Sequence, residues 1–302
     1  MPSKNIDLQT HTTASDGKLT PEELVNLATK KKLSAIAITD HDTISGIEEA
    51  LRSSKGKIEI VPGVEISCDD VDFIDTHILG LFIDHKNKVL SNLLKKAQNY
   101  RERQKKDIIN KFRKFEFKIT YKEVKAIAKG EIGRPHIAKI ILKNNPDKVN
   151  SFDEVFDKYL AVGKLAYVER RNKISVKDAI KAIHAAGGLV FISHPGVYNN
   201  FNISKLINYF LKSGGDGIET YYEYEKSRYH TGKKVGNVIT KKFRKIVKRK
   251  NILETGGSDF HGRESQILGK LKVPYSVLVN LKKHLNSKTK LLRFTRKKRF
   301  SL

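Results

Sequence analysis

Seven short runs rich in β-branched residues recur along this 302-residue chain, and most are followed by a segment with helical periodicity. A strand followed by a helix predicts a parallel neighbour, because the crossover helix returns the chain to the same edge of the sheet. Seven such units favour an α/β barrel over an open sheet. The predicted strands are residues 5–11, 34–41, 58–66, 76–82, 188–194, 217–222 and 252–256.

The strand–helix rhythm stops at about residue 87, where apolar residues begin to follow the spacing of long helices. The sequence therefore predicts a discontinuous barrel of residues 1–86 and 169–281, with a helical insertion at 87–168 that covers the barrel site. Residues 282–302 form a predicted basic extension. Capping-box patterns mark three predicted helix starts, at Thr20–Glu23, Thr120–Glu123 and Ser151–Glu154.

The formal charge of +26 is concentrated in three segments. Residues 86–125, 239–250 and 282–302 carry net charges of +10, +7 and +9, and the rest of the chain is neutral. Basic patches on a neutral body indicate a polyanionic partner, and nucleic acid is the one that we expect. The alternative is that these lysines form solvated helix faces.

Cysteine usage and hydropathy predict a cytoplasmic protein. The single cysteine, Cys68, leaves no intramolecular disulfide, which is typical of a reducing compartment. No run approaches the roughly 18 apolar residues of a membrane span, so no membrane partner is expected. Nothing in the sequence predicts the oligomeric state.

Histidines and isolated acids fall at or near the ends of six predicted strands. His11, His41, Glu65 and His194 end their strands, Asp259 and His261 follow the last one, and His77 lies near the start of its strand. Parallel barrels carry their chemistry at the carboxyl ends of the strands. Carboxylates and imidazoles gathered at one rim would leave costly unpaired charge unless cations join them. A thiol-free set of this kind favours Mn, Zn, Fe or Mg.

Six motifs carry a resemblance to the PHP (polymerase and histidinol phosphatase) family. More narrowly, they resemble its stand-alone phosphoesterases that act on nucleotides and short RNA. The resemblance implies a distorted (β/α)7 barrel with a helical insertion. The motifs, in chain order, are D-L-Q-T-H-T-T-A-S-D-G (7–17), T-D-H-D-T (39–43), P-G-V-E-I-S (62–67), G-R-P-H-I-A (133–138), A-G-G-L-V-F-I-S-H-P (186–195) and G-G-S-D-F-H-G (256–262).

The resemblance also implies two or three divalent ions in three groups of ligands; from the donor chemistry, manganese is the metal that we expect. One ion would be held by Gln9, His11, Glu65 and Asp259. A second would share Glu65 with His77 and His194, and a third would use Asp16, His41 and His261. Gln9 stands where the family has a histidine. It either offers its amide oxygen to a working site or marks a weakened one.

These assignments lead to a predicted metal-dependent phosphoesterase in which a metal-activated hydroxide is the nucleophile. Glu65 would bridge two ions, and His194 or His261 would assist the leaving group. The resemblance further implies that Arg134 and His136 bind a substrate phosphate. The predicted substrate is a nucleoside 3′,5′-bisphosphate or the 5′ end of short RNA. The alternatives are a histidinol phosphatase and a nucleic-acid-binding relative whose metal site has decayed.

Overall fold

The computed structural model describes residues 5–128, 132–161, 163–169, 174–198, 202–224 and 233–299. Eight strands form one sheet in the order β7-β6-β5-β4-β3-β2-β1-β8. An isolated parallel bridge between Thr10 and Phe260 links β1 to the segment after β7, so the sheet is nearly closed. The strands are β1 (Asn5–Thr10), β2 (Ala35–Ile38), β3 (Glu59–Asp70), β4 (Phe73–Leu81), β5 (Leu189–Ile192), β6 (Gly217–Tyr221), β7 (Leu253–Gly256) and β8 (Val273–Pro274).

Ten α-helices accompany the sheet in the described part of the chain. They are α1 (Pro21–Lys30), α2 (Ile47–Ser54), α3 (Lys88–Lys114), α4 (Tyr121–Ile127), α5 (Arg134–Asn144), α6 (Phe152–Val155), α7 (Val176–Ala185), α8 (Ile203–Lys212), α9 (Lys233–Lys250) and α10 (Tyr275–Arg299). A π-helical turn, Phe156–Leu160, continues α6. None of the described helices is long and apolar enough to cross a membrane.

The α/β barrel predicted from the sequence is confirmed, but its strands are not all parallel. β4 runs antiparallel to both β3 and β5, and the short eighth strand runs antiparallel to β1. Only residues 71 and 72 separate β3 from β4, which is too short a connection for the crossover that a parallel pair needs. The prediction that Glu65 ends its strand was also wrong, because β3 continues to Asp70.

Two apolar layers hold the barrel together. Successive strand residues alternate between them: Ile78 packs with the outer helices, whereas Leu79 packs with the cluster that includes the first turns of α10. The three predicted helix starts are capped as expected. Thr20 and Thr120 form reciprocal capping boxes, and Ser151 accepts a hydrogen bond from the amide of Glu154.

The long helix α3 joins the barrel to a separate helical cluster. Leu90 and Leu94 pack in the barrel core, whereas Ile108 and Phe112 pack with α4, α5 and the π-helical turn. This arrangement fixes α3 beside the barrel. The domain boundaries at 86/87, 168/169 and 281/282 stay predictions; the last one lies inside α10, which continues to Arg299.

Candidate metal centre

A β-bulge turns the first predicted ligands towards the others. The register of β1 against β2 shifts between Asp7 and Thr10. Simple alternation along a strand would point Asp7 and Gln9 in the same direction. Because of the bulge, their side chains point in different directions. Asp7 accepts hydrogen bonds from Ser258, whereas Gln9 donates from Nε2 to Glu65 Oε1 at 2.9 Å. Bulges next to functional sites commonly re-aim a side chain in this way.

The Glu65 carboxylate lies at the centre of the site and is fully buried. Both of its oxygens face imidazole nitrogens from several strands, in addition to the Gln9 amide. Oε1 lies 3.2 Å from His77 Nδ1 and 3.1 Å from His194 Nε2, and Oε2 lies 3.2 Å from both His11 Nε2 and His41 Nδ1. One carboxylate thus contacts four histidines and an amide.

The remaining predicted ligands extend this cluster towards solvent. His11 Nε2 is 2.9 Å from Asp259 Oδ1, and His261 Nε2 is 3.2 Å from Asp16 Oδ1. His41 lies between the two halves, with Nε2 at 3.9 Å from Asp16. All nine predicted positions therefore lie in one continuous cluster.

Three groups within the cluster have donor atoms close enough to share an ion. They are His11, Glu65 and Asp259; His41, Glu65 and His77; and His11, Asp16, His41 and His261. The groups resemble the predicted sets, with His11, His41 and Glu65 each shared between two of them. His194 contacts Glu65 directly, although it is in none of the three groups.

The electrostatics of the cluster fit the binding of cations. Burial disfavours the charged imidazole of His77, but Glu65 and Asp75 outweigh it and raise its pKa to about 10. Burial likewise opposes protonation of His11, yet Asp259 and Glu65 raise its pKa well above the ordinary value. The negative potential that acts on His11 and His77 equally attracts divalent ions, whereas at His41 burial lowers the pKa well below its ordinary value.

Buried polar atoms without hydrogen-bond partners also indicate that the cluster fits the binding of cations. Buried side-chain atoms with neither a hydrogen-bond partner nor an ion-pair contact include Gln9 Oε1, His11 Nδ1 and His194 Nδ1. Such atoms are rare in folded proteins, where buried polar groups normally find partners. Imidazole, carboxylate and amide donors without a thiol suit hard or borderline divalent ions. The residues present therefore fit a multinuclear metal site.

Left-handed backbone conformations position two of the predicted ligands. His194 has φ +30° and Asp259 has φ +53°, a region that costs energy for residues with a Cβ. The amide of His194 donates to Glu219 Oε2 at 2.7 Å. Gly257, just before Asp259, passes so close to β1 that a Cβ would lie 2.3 Å from the Gln9 amide nitrogen. Only glycine fits there.

Sequence reasoning missed several residues that support the ligands. Asp42 accepts hydrogen bonds from Arg101 of α3 and from the amide of Ser67, two residues past Glu65. Tyr222 donates from its hydroxyl to Asp259 Oδ2 at 3.2 Å. The sequence carries one usable signal, the T-D-H-D-T motif, in which an acid flanks His41 on each side.

The two residues predicted to bind substrate phosphate differ in position. Arg134 lines a cleft of about 200 Å³ together with Asp16, Lys105 and other residues from the middle of α3. His136 is not among the residues lining this cleft, and its Nδ1 accepts the amide of Gly133 at 3.0 Å, which caps α5. Burial and the nearby Lys139 and Lys105 lower the pKa of His136. The neutral ring can then serve as this cap.

Comparisons with known proteins agree with this centre. A family model described as the PHP domain matches residues 7–172. A 5′-3′ exoribonuclease of Haemophilus influenzae is 38% identical over 220 residues, which are 72% of this chain and 79% of the relative. A 3′,5′-nucleoside bisphosphate phosphatase of Chromobacterium violaceum is 31% identical over 269 residues, which are 85% of this chain and 87% of the relative.

A solved structure gives the same picture. It is that of a protein from Bifidobacterium adolescentis described as a candidate metal-dependent phosphoesterase. It superimposes with a TM-score of 0.76 at 27% identity and covers 93% of this chain and 96% of its own. The family match spans more than half of the chain and includes six of the nine predicted ligands, from Gln9 to His77.

Proposed function

The chain belongs to the PHP family of metal-dependent phosphoesterases, and we propose that it hydrolyses phosphate esters of nucleotides. It is a hydrolase of phosphoester bonds. Its proposed substrates are nucleoside 3′,5′-bisphosphates and the 5′ ends of short RNA, a proposal supported by relatives that are named as a 3′,5′-nucleoside bisphosphate phosphatase and a 5′-3′ exoribonuclease. Manganese is the proposed metal.

The observation that carries this proposal is the environment of Glu65. Its two carboxylate oxygens face different sets of nitrogen donors, so that each oxygen can belong to a different ion. A carboxylate shared in this way is what a site with two adjacent ions needs. The proposed ligands are Gln9, His11, Asp16, His41, Glu65, His77, His194, Asp259 and His261.

Divalent ions held there would lower the pKa of a water and stabilise the charge that develops on the phosphoryl oxygens. The water oxygen attacks phosphorus while the bond to the ester oxygen breaks, and the leaving oxygen takes a proton. His194 and His261 are the proposed residues on the leaving-group side. Glu219 accepts the backbone amide of His194, and the His194 ring is oriented by the contact of its Nε2 with Glu65 Oε1 at 3.1 Å.

Cationic side chains beside the centre are proposed to bind the substrate phosphate. Arg134 and Lys105 line the cleft that contains Asp16, and Lys105 and Lys125 line an adjoining cleft of about 310 Å³ that contains His41. Arginine matches the geometry of a phosphate with two parallel N–H groups. The contribution of His136 stays a prediction, since its Nδ1 already caps α5.

One site serves both proposed substrates when the reacting phosphorus is attached to the 3′ oxygen of a 5′-phosphorylated nucleoside. In a bisphosphonucleotide nothing follows that phosphorus. In RNA the next nucleotide follows it, and hydrolysis releases a 5′-mononucleotide. The two reactions then differ only in what leaves the site with the phosphate.

The test is a comparison of substrates with the Mn²⁺-loaded protein. Phosphate release from a nucleoside 3′,5′-bisphosphate and shortening of a 5′-phosphorylated oligoribonucleotide are the expected results. Histidinol phosphate serves as the comparison substrate and should be hydrolysed far more slowly. No turnover of either nucleotide substrate by a metal-loaded sample would contradict the proposal. It would leave the nucleic-acid-binding alternative.

A further inference from the structure

A large open cleft runs along one face of α3 beside the metal centre. Its volume is about 980 Å³, and α3 lines one side of it while Tyr167, Val168 and Glu169 line the other. The α3 residues Tyr100, Gln104, Asp107, Lys111 and Lys114 recur every three or four positions, so they form a single stripe. At 1.5 Å per residue this stripe is about 21 Å long. We call it the α3 cleft.

The charges of the α3 cleft have a definite order. Arg103 lies near one end, and Lys111, Arg113 and Lys114 lie at the other. Asp107, between them, and Glu169 also line the cleft, so the lining keeps a formal charge of +2. An extended polyanion matches this order when its phosphates lie at the two basic ends and an uncharged group lies between them.

Aromatic rings supply surfaces for such an uncharged group. Tyr100 and Tyr167 both line the α3 cleft and are partly exposed. Grooves that combine aromatic rings with cationic side chains are typical of single-stranded nucleic acid binding, because bases stack on the rings while the backbone contacts the cations. A mononucleotide is too short to use both basic ends.

The wall opposite α3 is fixed rather than loose. Lys111 Nζ donates to the backbone carbonyl of Tyr167, and Gln104 Nε2 donates to that of Val168 at 2.9 Å. These contacts hold residues 167 and 168 at a set distance from α3. The α3 cleft is therefore preformed, and a ligand entering it does not have to order this wall.

The α3 cleft adjoins a smaller cleft that contains Asp16 of the metal centre. Gln104 lines both this cleft and the smaller one that contains Asp16 and Arg134. The Arg134 guanidinium also lies 5.7 Å from the centre of the Tyr167 ring, at the junction of the two. A chain that leaves the metal centre past Arg134 thus enters the α3 cleft directly.

We propose that the α3 cleft binds the single-stranded RNA that continues beyond the reacting phosphate in the 3′ direction. The inference rests on the proposed function, since it requires the 5′ end of the RNA to lie at the metal centre. Arg103 and Lys114 contact backbone phosphates, and Tyr167 stacks on a base. The cleft makes no contact with a bisphosphonucleotide, so it distinguishes RNA from the shorter substrate.

The experiment uses a pair of double variants of the full chain. In the test variant, Arg103→Glu and Lys114→Glu reverse two exposed charges of the α3 cleft. In the matched control, Lys88→Glu and Lys95→Glu reverse two exposed charges of the same helix that do not line it. Both variants change the total charge by the same amount, so general attraction to RNA falls equally.

Binding is measured by fluorescence anisotropy with the Mn²⁺-loaded proteins and a 5′-phosphorylated oligoribonucleotide of about six nucleotides with a hydrolysis-resistant backbone. The test variant should lose about tenfold or more in affinity relative to the control. Its plot of log affinity against log salt concentration should be shallower by about 1.4, which corresponds to two lost phosphate contacts. Hydrolysis of the bisphosphonucleotide should stay within about twofold of the wild type in both variants.

Equal affinities of the test and control variants for the oligoribonucleotide would overturn the inference. A parallel loss of bisphosphonucleotide hydrolysis in the test variant would overturn it too, because the cleft would then serve the metal centre itself. Failure of the proposed function looks different. In that case the wild type hydrolyses neither substrate, while the difference in binding between the variants shows whether the cleft holds RNA.

Discussion

At the scale of single residues, Glu65 poses the main energetic problem of the molecule. A fully buried carboxylate loses several kcal/mol of solvation free energy, and opposite charges or hydrogen bonds must compensate for this loss. Burial opposes ionisation of Glu65, but His41 and His77 outweigh it and hold its pKa well below the usual value. The imidazoles that stabilise it now are the proposed ligands of the ions.

Gln9 gives the first test at this scale. Its amide oxygen is buried without a partner, so it is free to contact an ion. An imidazole nitrogen binds borderline divalent ions better than an amide oxygen does. Gln9→His should therefore raise the affinity for Zn²⁺, a borderline ion, about tenfold while changing the affinity for Mn²⁺ less, measured by titrating activity against each free metal.

Gln9→Ala is the matched control and should weaken the binding of the metal. Equal metal affinities of the wild type, Gln9→His and Gln9→Ala would show that position 9 does not contact an ion.

Glu219 gives a second test. It accepts the His194 amide and holds that residue in a left-handed conformation. Glu219→Gln keeps an oxygen acceptor of the same shape and should retain most of the activity. Glu219→Ala should lower metal affinity or activity about 10–100-fold, because groups that orient ligands typically have effects of this size. Equal activity of the two variants would show that Glu219 has no positioning role.

The sequence predicted which residues belong to the site better than it predicted how those residues are oriented and which of them are in contact. The nine predicted ligands lie in one cluster because strand ends meet at a rim, which is a property of the fold. The direction of Asp7 could not be predicted, since a bulge between Asp7 and Thr10 breaks the alternation. Arg101 gave no signal either, because its partner Asp42 is 59 positions away.

At the scale of elements, α3 links the helical segment to the metal centre. Arg101 of α3 is buried and contacts both Asp42 and the Ser67 hydroxyl, while Gln98 donates to the Asp42 backbone carbonyl. Asp42 directly follows His41, and the Ser67 amide donates to Asp42. Helix α3 therefore acts as a brace, because it holds in place the two segments that carry the proposed ligands His41 and Glu65.

Replacing Arg101 tests this brace. Arg101→Met leaves the Asp42 carboxylate buried without its charged partner, which should lower the free energy of unfolding by about 3–5 kcal/mol in urea titrations. Lys95→Met, on the exposed side of the same helix, should change stability by less than about 0.5 kcal/mol.

The double variant Asp42→Asn, Arg101→Gln removes both charges and should recover part of the loss. If Arg101→Met is as stable as Lys95→Met, the brace does not contribute to folding.

The docking of α10 gives a pH-dependent test. Asp216 lies before β6 and contacts His184 Nε2 at 2.8 Å, the Val190 amide at 2.8 Å and Lys288 Nζ of α10 at 3.3 Å. Burial opposes ionisation of Asp216, but these partners outweigh it and lower its pKa below the ordinary 3.8. A carboxyl with a depressed pKa stabilises the fold above its unfolded-state value, and this contribution is lost as the pH falls through the folded-state value.

Asp216→Asn should therefore lower the free energy of unfolding by about 2 kcal/mol at neutral pH. The difference from the wild type should shrink as the pH falls below about 4, in urea titrations at a series of pH values. A difference that stays constant with pH would show that the Asp216 charge is not what matters.

The antiparallel strand β4 explains where the element-level prediction failed. His77 lies in the middle of β4, and its register places it opposite Ser67 of β3. Because β4 runs antiparallel to both of its neighbours, a residue in the middle of β4 can lie at the rim of the barrel where the other strands end. The sequence carried a sign of this, because only nine residues separate the two predicted strands, too few for a helix and its two connections.

At the scale of the whole molecule, charge and chemistry occupy different parts of one fold. The metal centre is formed from barrel residues, whereas α3 alone carries ten Lys or Arg and two acidic residues. Residues 239–250 lie on α9 and residues 282–299 lie on α10, whereas residues 300–302 are outside the described part of the chain. The role of these basic segments in binding nucleic acid stays a prediction, separate from that of the α3 cleft.

The most direct test of the proposed metal centre is the metal content of the protein with and without its central carboxylate. The wild type and Glu65→Gln are loaded with Mn²⁺, freed of unbound metal by gel filtration, and analysed by elemental mass spectrometry. We expect about two or three ions per wild-type chain, as the three ligand groups of the chain allow, and at most about one ion per chain in Glu65→Gln. Less than one ion in a folded wild-type sample, or equal metal contents in the two proteins, would contradict this expectation.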